Sequence, residues 1–131
     1  MQFDTASPIW VQLVAEFSRR IVVREWAPGD RVAGVRELAV DLGVNPNTVQ
    51  RALAELERQG LARSERTAGR FVTADEDRIN ALRSELAREA ADDFVSRARG
   101  FGMQRDQARA LIDERWDHHD HDTDQTSTGE A

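Results

Sequence analysis

Residues 35–56 read VRELAVDLGVNPNTVQRALAEL, and this stretch decides the fold. Its first part spaces apolar side chains along one face of a short helix, which ends at Gly43. Asn45 and Pro46 then supply an N-cap and a favourable first residue for a second helix. Two short helices joined by a tight glycine-containing turn predict a helix-turn-helix, with a shared core of Leu38, Ala39, Leu42, Val44, Val49 and Leu53.

The flanking segments extend this pair of helices to a winged domain. Upstream, residues 8–26 carry apolar groups on one helical face, and Ser7 is the expected N-cap. Downstream, residues 61–74 change to an alternating pattern around a glycine-containing turn, which predicts a β-hairpin. A hairpin directly after the second helix of such a pair is a wing. Residues 1–74 are therefore expected to form a winged helix-turn-helix domain.

Two amphipathic helices are predicted beyond the wing, at residues 75–99 and 103–117. The predicted fold class is thus mainly α with a small β-hairpin, with a C-terminal helical hairpin at residues 75–117. Its apolar stripes need a partner surface, and we expect a homodimer interface at Leu82, Leu86, Phe94, Leu111, Ile112 and Trp116. The alternative is that these side chains pack onto the winged domain of the same chain. Residues 118–131 are polar and are expected to be disordered.

The distribution of charge bears on the partner. The net charge is −6, but residues 1–73 hold 10 arginines and nine acidic residues, whereas residues 74–131 hold eight arginines and 15 acidic residues. Binding to DNA depends on basic groups close to the phosphates and not on the total charge. The acidity of the C-terminal part therefore does not exclude a nucleic-acid partner for the N-terminal part.

The second helix of the pair carries side chains that can read base edges. If Val49, Leu53 and Leu56 point inward, the polar residues of its first turns point outward or lie on the flanks. Asn, Gln and Arg match the donors and acceptors of bases in the major groove, and recognition helices present them in their first turns. The predicted DNA-reading residues are Asn45, Asn47, Thr48, Gln50 and Arg51, and the alternative is an ordinary solvated face.

Basic residues outside this helix extend the candidate surface. Arg36, at the start of the preceding helix, is predicted to reach a phosphate or a base, the alternative being a surface ion pair with Asp30 or Glu37. In the wing, Gly69 would let backbone N–H groups approach the sugar-phosphate wall, and the flanking Arg66 and Arg70 are predicted to contact it. The alternative for the wing is a solvated hairpin tip.

The stretch from Pro8 to Val72 resembles the DNA-binding domain of the GntR family. The motifs that carry the resemblance are PGDR at 28–31, VRELAVDLGV at 35–44, NPNTVQRA at 45–52, LERQGL at 56–61 and GRFV at 69–72. The NPNTV form and the short two-helix tail resemble the YtrA-type branch. The resemblance implies a dimeric bacterial regulator, usually a repressor and often of a transporter operon, and it implies DNA contacts by Arg36 and Thr48.

Other classes of function find little support in the sequence. There is no cysteine, and no arrangement of nucleophile and base or phosphate loop falls on a predicted element, so an enzyme is not expected. No apolar run is long enough to span a bilayer, and no signal peptide is recognisable, so we expect a cytoplasmic protein without membrane contact. The remaining alternative is a winged helix that docks a partner protein without binding DNA.

No cofactor or metal is expected either. The run from Asp117 to Asp122 has metal-binding residue types, but its spacing suits a solvated acidic tail better than a rigid site. No residue pattern identifies a small-molecule effector. The expected partners are double-stranded operator DNA, read as a palindrome, and a second copy of the chain.

Overall fold

The computed structural model describes residues 1–128 and the side chains of residues 1–121. Within that range it confirms the predicted class, mainly α with a small β-hairpin. Its elements are α1 (Ile9–Val22), α2 (Val35–Leu42), α3 (Pro46–Arg58), β1 (Ala62–Glu65), β2 (Gly69–Val72), α4 (Glu76–Gly100) and α5 (Arg105–Thr128). The chain divides into two compact units, Met1–Leu86 and the part from Ala87 onward.

The helix-turn-helix forms where the local signals predict it. Gly43 ends α2 in the left-handed conformation, with φ 68°, which a residue without a Cβ adopts at little cost. Asn45 caps α3, since its side-chain oxygen accepts a hydrogen bond of 2.8 Å from the backbone N–H of Asn47. Pro46 occupies the first helical position. The start of α3 is therefore fixed by residues next to it in sequence.

The wing is the antiparallel hairpin of β1 and β2, with Ala62 opposite Val72 and Glu65 opposite Gly69. A third, very short strand joins it, because Arg31 forms an isolated antiparallel bridge with Phe71. The backbone N–H of Val32 donates to the carbonyl of Arg70 at 2.8 Å. The segment between α1 and α2 thus lies along β2, a pairing that the sequence pattern did not predict.

One hydrophobic core holds the first unit together. α1 and α3 pack against each other, and the hairpin and the beginning of α4 close the core. Ile79 and Leu82 of α4 are almost completely buried in it. The first unit consequently extends to Leu86, beyond the boundary expected at residue 74. The fully buried side chains include Leu13, Phe17, Ile21, Val49, Leu53, Leu56, Leu61 and Ile79.

The N-terminal helix differs from the prediction at both ends. Its N-cap is Pro8, without a side-chain hydrogen bond, and not Ser7. It ends at Val22 and not at residue 26, because Arg24 has a φ of 64° and turns the chain. The turn brings Trp26 back onto the buried ring of Phe17, with ring centroids 4.8 Å apart. Stacking of the two aromatic rings in the core favours this turn over continuation of the helix.

The C-terminal helix is longer than predicted. α5 continues to Thr128, whereas disorder was expected from residue 118. The expectation relied on low hydrophobicity, but the backbone hydrogen bonds of a helix are local, and residues 105–128 contain neither Gly nor Pro to interrupt them. The expectation for residues 129–131 lies outside the described residues.

Candidate nucleic-acid interface

Helix α3 separates an apolar face from a polar one. Val49, Ala52, Leu53 and Leu56 are buried against the core. Asn47, Gln50 and Arg51 are exposed, and Thr48 is half-buried on the flank. The residues predicted to read bases are therefore displayed outside the core on one helix, while the buried face fixes the orientation of that helix.

The N-terminal end of α3 is suited to a polyanion. Its first turn contains no acidic residue, and the first N–H groups of a helix carry partial positive charge. The side-chain oxygen of Asn45 is used in the cap, whereas the amide of Asn47 makes no side-chain hydrogen bond among the described residues. Asn47 is thus the residue of the first turn whose amide is left for a base edge.

Arg51 has a contact that sequence reasoning missed. Its guanidinium lies over the ring of Trp10 in α1, 4.2 Å from the ring centroid. A cation held over an aromatic face is attracted by the ring quadrupole and loses side-chain freedom. Trp10 is one of the apolar residues of α1, and its half-buried indole also positions an arginine of α3.

Arg36 is exposed in the first turn of α2. The alternative interpretation was a surface ion pair with Asp30 or Glu37. Among the ion pairs of the described residues, neither of these is formed. The guanidinium of Arg36 remains available to a partner outside the chain.

Of the two arginines predicted to contact DNA from the wing, one is exposed and the other is paired within the chain. Arg66 is exposed at the turn, as a contact with DNA requires. Arg70 is not: its Nε donates to Oε1 of Glu57 in α3 at 2.7 Å, and its side chain is only 17% exposed. Glu57 also accepts a hydrogen bond from the hydroxyl of Ser64. This ion pair fastens the wing to α3. It also compensates the charge of Arg70 within the chain.

This fastening predicts a pH-dependent contribution to stability. The hydrogen bond from Arg70, aided by that from Ser64, holds the pKa of Glu57 below its ordinary value. A carboxyl with a lowered folded-state pKa stabilises the fold fully above its unfolded pKa of about 4.3, and the contribution disappears as the pH falls through the folded value. Glu57→Gln should thus lower the free energy of unfolding by about 1 kcal/mol at pH 7.

Urea denaturation of both proteins between neutral pH and pH 3 measures this effect. The difference between wild type and Glu57→Gln should stay constant down to about pH 5 and shrink below about 4.3. Glu89→Gln is the matched control, since Glu89 is exposed in the interior of α4 and has no ion pair among the described residues. A difference for Glu57→Gln that is as large at pH 3 as at pH 7 would contradict the assignment.

The pairing of arginines separates two groups within residues 1–73. Of the 10 arginines in residues 1–73, six form ion pairs with carboxylates: Arg19, Arg20, Arg24, Arg58, Arg63 and Arg70. The other four have no ion pair among the described residues, and they are Arg31, Arg36, Arg51 and Arg66. These four belong to α2, α3, the wing and the strand that pairs with it. Within residues 1–73, the arginines without an ion pair thus lie on the helix-turn-helix, on its wing and on the strand beside the wing.

The residues expected at a dimer interface fall into two sets. Leu82, 2% exposed, belongs to the core of the first unit, and Leu86 packs against that core. Both side chains therefore pack within the same chain, and Leu86 is only partly buried there. Phe94, Leu111, Ile112 and Trp116 line an open groove of about 520 Å³ in the second unit, together with Arg115, His119 and Asp120.

Two further observations concern classes of partner. Among the described residues, no group of three or more His, Asp or Glu side chains is arranged to hold a metal ion. Within the same residues, no helix has both the length and the apolar character needed to cross a bilayer.

Comparisons with known proteins agree with this geometry. A family model described as bacterial regulatory proteins of the gntR family matches residues 11–72. The chain is 34% identical over 106 residues to the uncharacterized HTH-type transcriptional regulator YhcF of Bacillus subtilis, a match that covers 81% of this chain and 88% of YhcF.

Two solved structures are also similar. A GntR family transcriptional regulator from Listeria monocytogenes superposes with a TM-score of 0.79 and 35% identity, covering 86% of this chain and 98% of that one. The DNA-binding domain of AraR in complex with operator ORX1 has a TM-score of 0.50 and 27% identity, covering 56% of this chain and 93% of that domain. The fold, the exposed polar face of α3 and these matches lead to one conclusion: the chain belongs to the GntR family of bacterial regulatory proteins and is a DNA-binding transcription regulator.

Proposed function

We propose that this regulator binds a palindromic operator as a homodimer and represses transcription from it. The observation that carries the DNA-binding part is that four exposed arginines without an ion pair among the described residues lie on α2, α3, the wing turn and the strand beside it, while the first turn of α3 contains no acid. Phosphates bind such guanidinium groups with the release of condensed counterions. The operator complex of the AraR domain supports the choice of duplex DNA over a protein partner.

The residues proposed to contact DNA follow from exposure. Asn47, Thr48, Gln50 and Arg51 on α3 are proposed to face the major groove, with Asn45 at its edge. Arg36 and Arg66 are proposed to contact phosphates, and the backbone at Gly69 to approach the sugar-phosphate wall. Arg70 is no longer included, since its guanidinium holds Glu57.

The second unit supplies the proposed dimer interface. Trp116 and Ile112 are 69% and 45% exposed, and Phe94 and Leu111 lie in the same groove. Large apolar side chains grouped on a surface mark an interaction site, because their burial against a partner is favourable. A second copy of the same groove would cover them, and a two-fold symmetric dimer matches a palindromic site.

Repression is proposed on the basis of the YtrA-type branch that the sequence resembles, in which most members are repressors. A dimer seated on an operator that overlaps a promoter excludes RNA polymerase from it. The same resemblance makes a transporter operon the first candidate target. Such a regulator acts in the cytoplasm, where bacterial DNA is located.

The dependence of affinity on salt tests the DNA-binding surface. If the unpaired arginines of two subunits neutralise about six to eight phosphates, the affinity for DNA should fall about 10³- to 10⁴-fold between 50 and 200 mM salt. Fluorescence anisotropy with duplex DNA from the region upstream of the gene measures this. Affinity that does not change with salt, or binding only to DNA-free protein partners, would favour a protein-docking module instead.

A footprint on the same upstream region tests the operator. We expect protection of a palindrome whose half-sites are centred about one helical turn apart, and reduced transcription in vitro when the protein is added. A correctly folded dimer that protects no sequence would contradict the proposal, and increased transcription would contradict repression alone.

A further inference from the structure

We propose that Arg31 is a DNA-contacting residue of the wing and takes the place that the sequence pattern assigns to Arg70. The inference rests on the proposed DNA interface and adds to it a residue from outside the hairpin. Arg31 comes before α2 in the chain, in the PGDR motif. Only the folded structure brings it to the wing.

The backbone of Arg31 is held on the edge of the hairpin. Arg31 pairs with Phe71 in an isolated bridge, and on either side the N–H of Val32 donates to the carbonyl of Arg70 and the N–H of Val72 donates to the carbonyl of Asp30, both at 2.8 Å. These bonds fix the position from which the side chain starts. Arg31 therefore moves with the wing, although it lies 38 positions before Gly69 in the chain.

The side chain of Arg31 lies against the end of the wing turn. Its Nε, Nη2 and Cζ are 3.0, 3.3 and 3.5 Å from the position that a Cβ on Gly69 would occupy. The absence of a side chain at Gly69, whose φ is 104°, leaves room for the guanidinium there. The glycine thus has two consequences: it permits the backbone turn, and it permits the arginine to lie over it.

The charge of Arg31 is not compensated. Arg31 is exposed and has no ion pair among the described residues, whereas Arg63 and Arg70 of the hairpin are paired with Glu65 and Glu57. A guanidinium with unused N–H donors matches the geometry of a phosphate. The unpaired cations at the wing are therefore Arg31 and Arg66, and we assign the phosphate contact to both.

The test is the salt dependence of binding by the full chain to a random-sequence duplex of about 30 base pairs, long enough for two half-sites. Each lost phosphate contact reduces the salt slope by about 1, so Arg31→Ala should reduce it by about 2 in a dimer. Arg31→Lys should keep the slope, because it keeps the charge. Arg19→Ala is the matched control, since Arg19 is exposed but paired with Glu16 and Glu25, and its slope should equal that of wild type.

The variant Gly69→Ala tests the geometry independently. A methyl group there would push the guanidinium aside by a few tenths of an ångström, so the slope of Gly69→Ala should lie between those of wild type and Arg31→Ala. When Arg31→Ala is already present, Gly69→Ala should add no further loss of slope, because the contact is already gone. Thermal denaturation of each variant separates strain of the backbone from loss of the contact.

The outcomes distinguish this inference from the proposed function. If Arg31→Ala has the wild-type slope while wild type binds with a steep salt dependence, the assignment of Arg31 is overturned and the DNA interface stands. If wild type itself shows no salt-dependent binding to any duplex, the proposed DNA interface is contradicted, and the assignment of Arg31 is overturned with it. A reduced slope for Arg31→Ala and an unchanged slope for Arg31→Lys support the inference.

Discussion

Replacing Ile112 by glutamate should convert the proposed dimer to a monomer and lower its affinity for the operator by about 10²- to 10⁴-fold, the range gained when two linked sites bind together. Ile112 lines the groove of the second unit beside Trp116. A carboxylate placed there would have to lose water among the apolar side chains of the groove on association, and this desolvation cost opposes the dimer. The monomer would retain one recognition helix and bind half-sites only.

Sedimentation velocity and anisotropy on the same samples measure both effects. Val23→Glu is the control, since Val23 is similarly exposed, at 53%, but lies in the first unit. Trp116→Ala is a milder second variant that removes a large exposed ring without adding charge. An Ile112→Glu protein that sediments as a dimer would contradict the proposed interface, and a monomer with unchanged operator affinity would contradict binding as a dimer.

Asn47→Ala should remove the discrimination at one base pair of each half-site without unfolding the protein. An Asn that pairs with adenine contributes about 1–3 kcal/mol of discrimination, which corresponds to about 5- to 150-fold in affinity for each half-site. Since a dimer reads two half-sites, the loss at a palindrome should be about the square of that factor. Affinity for a random duplex should change little, because the phosphate contacts remain.

The cap of α3 explains why the fold should survive. The backbone N–H of Asn47, and not its side chain, donates to Asn45, and Ala is the best helix former. Asn45→Ala, in contrast, should cost about 1 kcal/mol of stability because it removes the cap. Asn80→Ala, on the exposed surface of α4, is the matched control for binding. Undiminished preference of Asn47→Ala for the operator would exclude Asn47 from base reading.

The recognition surface illustrates how far sequence reasoning reaches. Asn47, Gln50 and Arg51 could be named because the helical period of Val49, Leu53 and Leu56 determines which side chains remain outside. Arg70 was placed wrongly, since neither the period nor the turn shows that Glu57, 13 residues earlier, lies within hydrogen-bond distance. Arg31 and Trp10 were missed because their contacts are with residues far away in the chain.

The ends of the helices and of the first unit show the same contrast between local signals and tertiary packing. The bounds of α2 and α3 were predictable because Gly43, Asn45 and Pro46 act on their immediate neighbours. The end of the first unit at Leu86 was not, because burial of Ile79 and Leu82 depends on the core formed by α1, α3 and the wing. Amphipathic spacing shows that a stripe will be covered, but it does not identify the covering surface.

The sequence by itself therefore determined the helix-turn-helix, the wing and the family, because caps, turns and hydrophobic period are local properties of the chain. Only the tertiary structure decided which arginines form ion pairs with carboxylates and which do not. Arg70 is paired with Glu57, whereas Arg31 is exposed beside Gly69 and has no ion pair among the described residues. An ion pair depends on a distance through space, and separation along the chain does not give that distance.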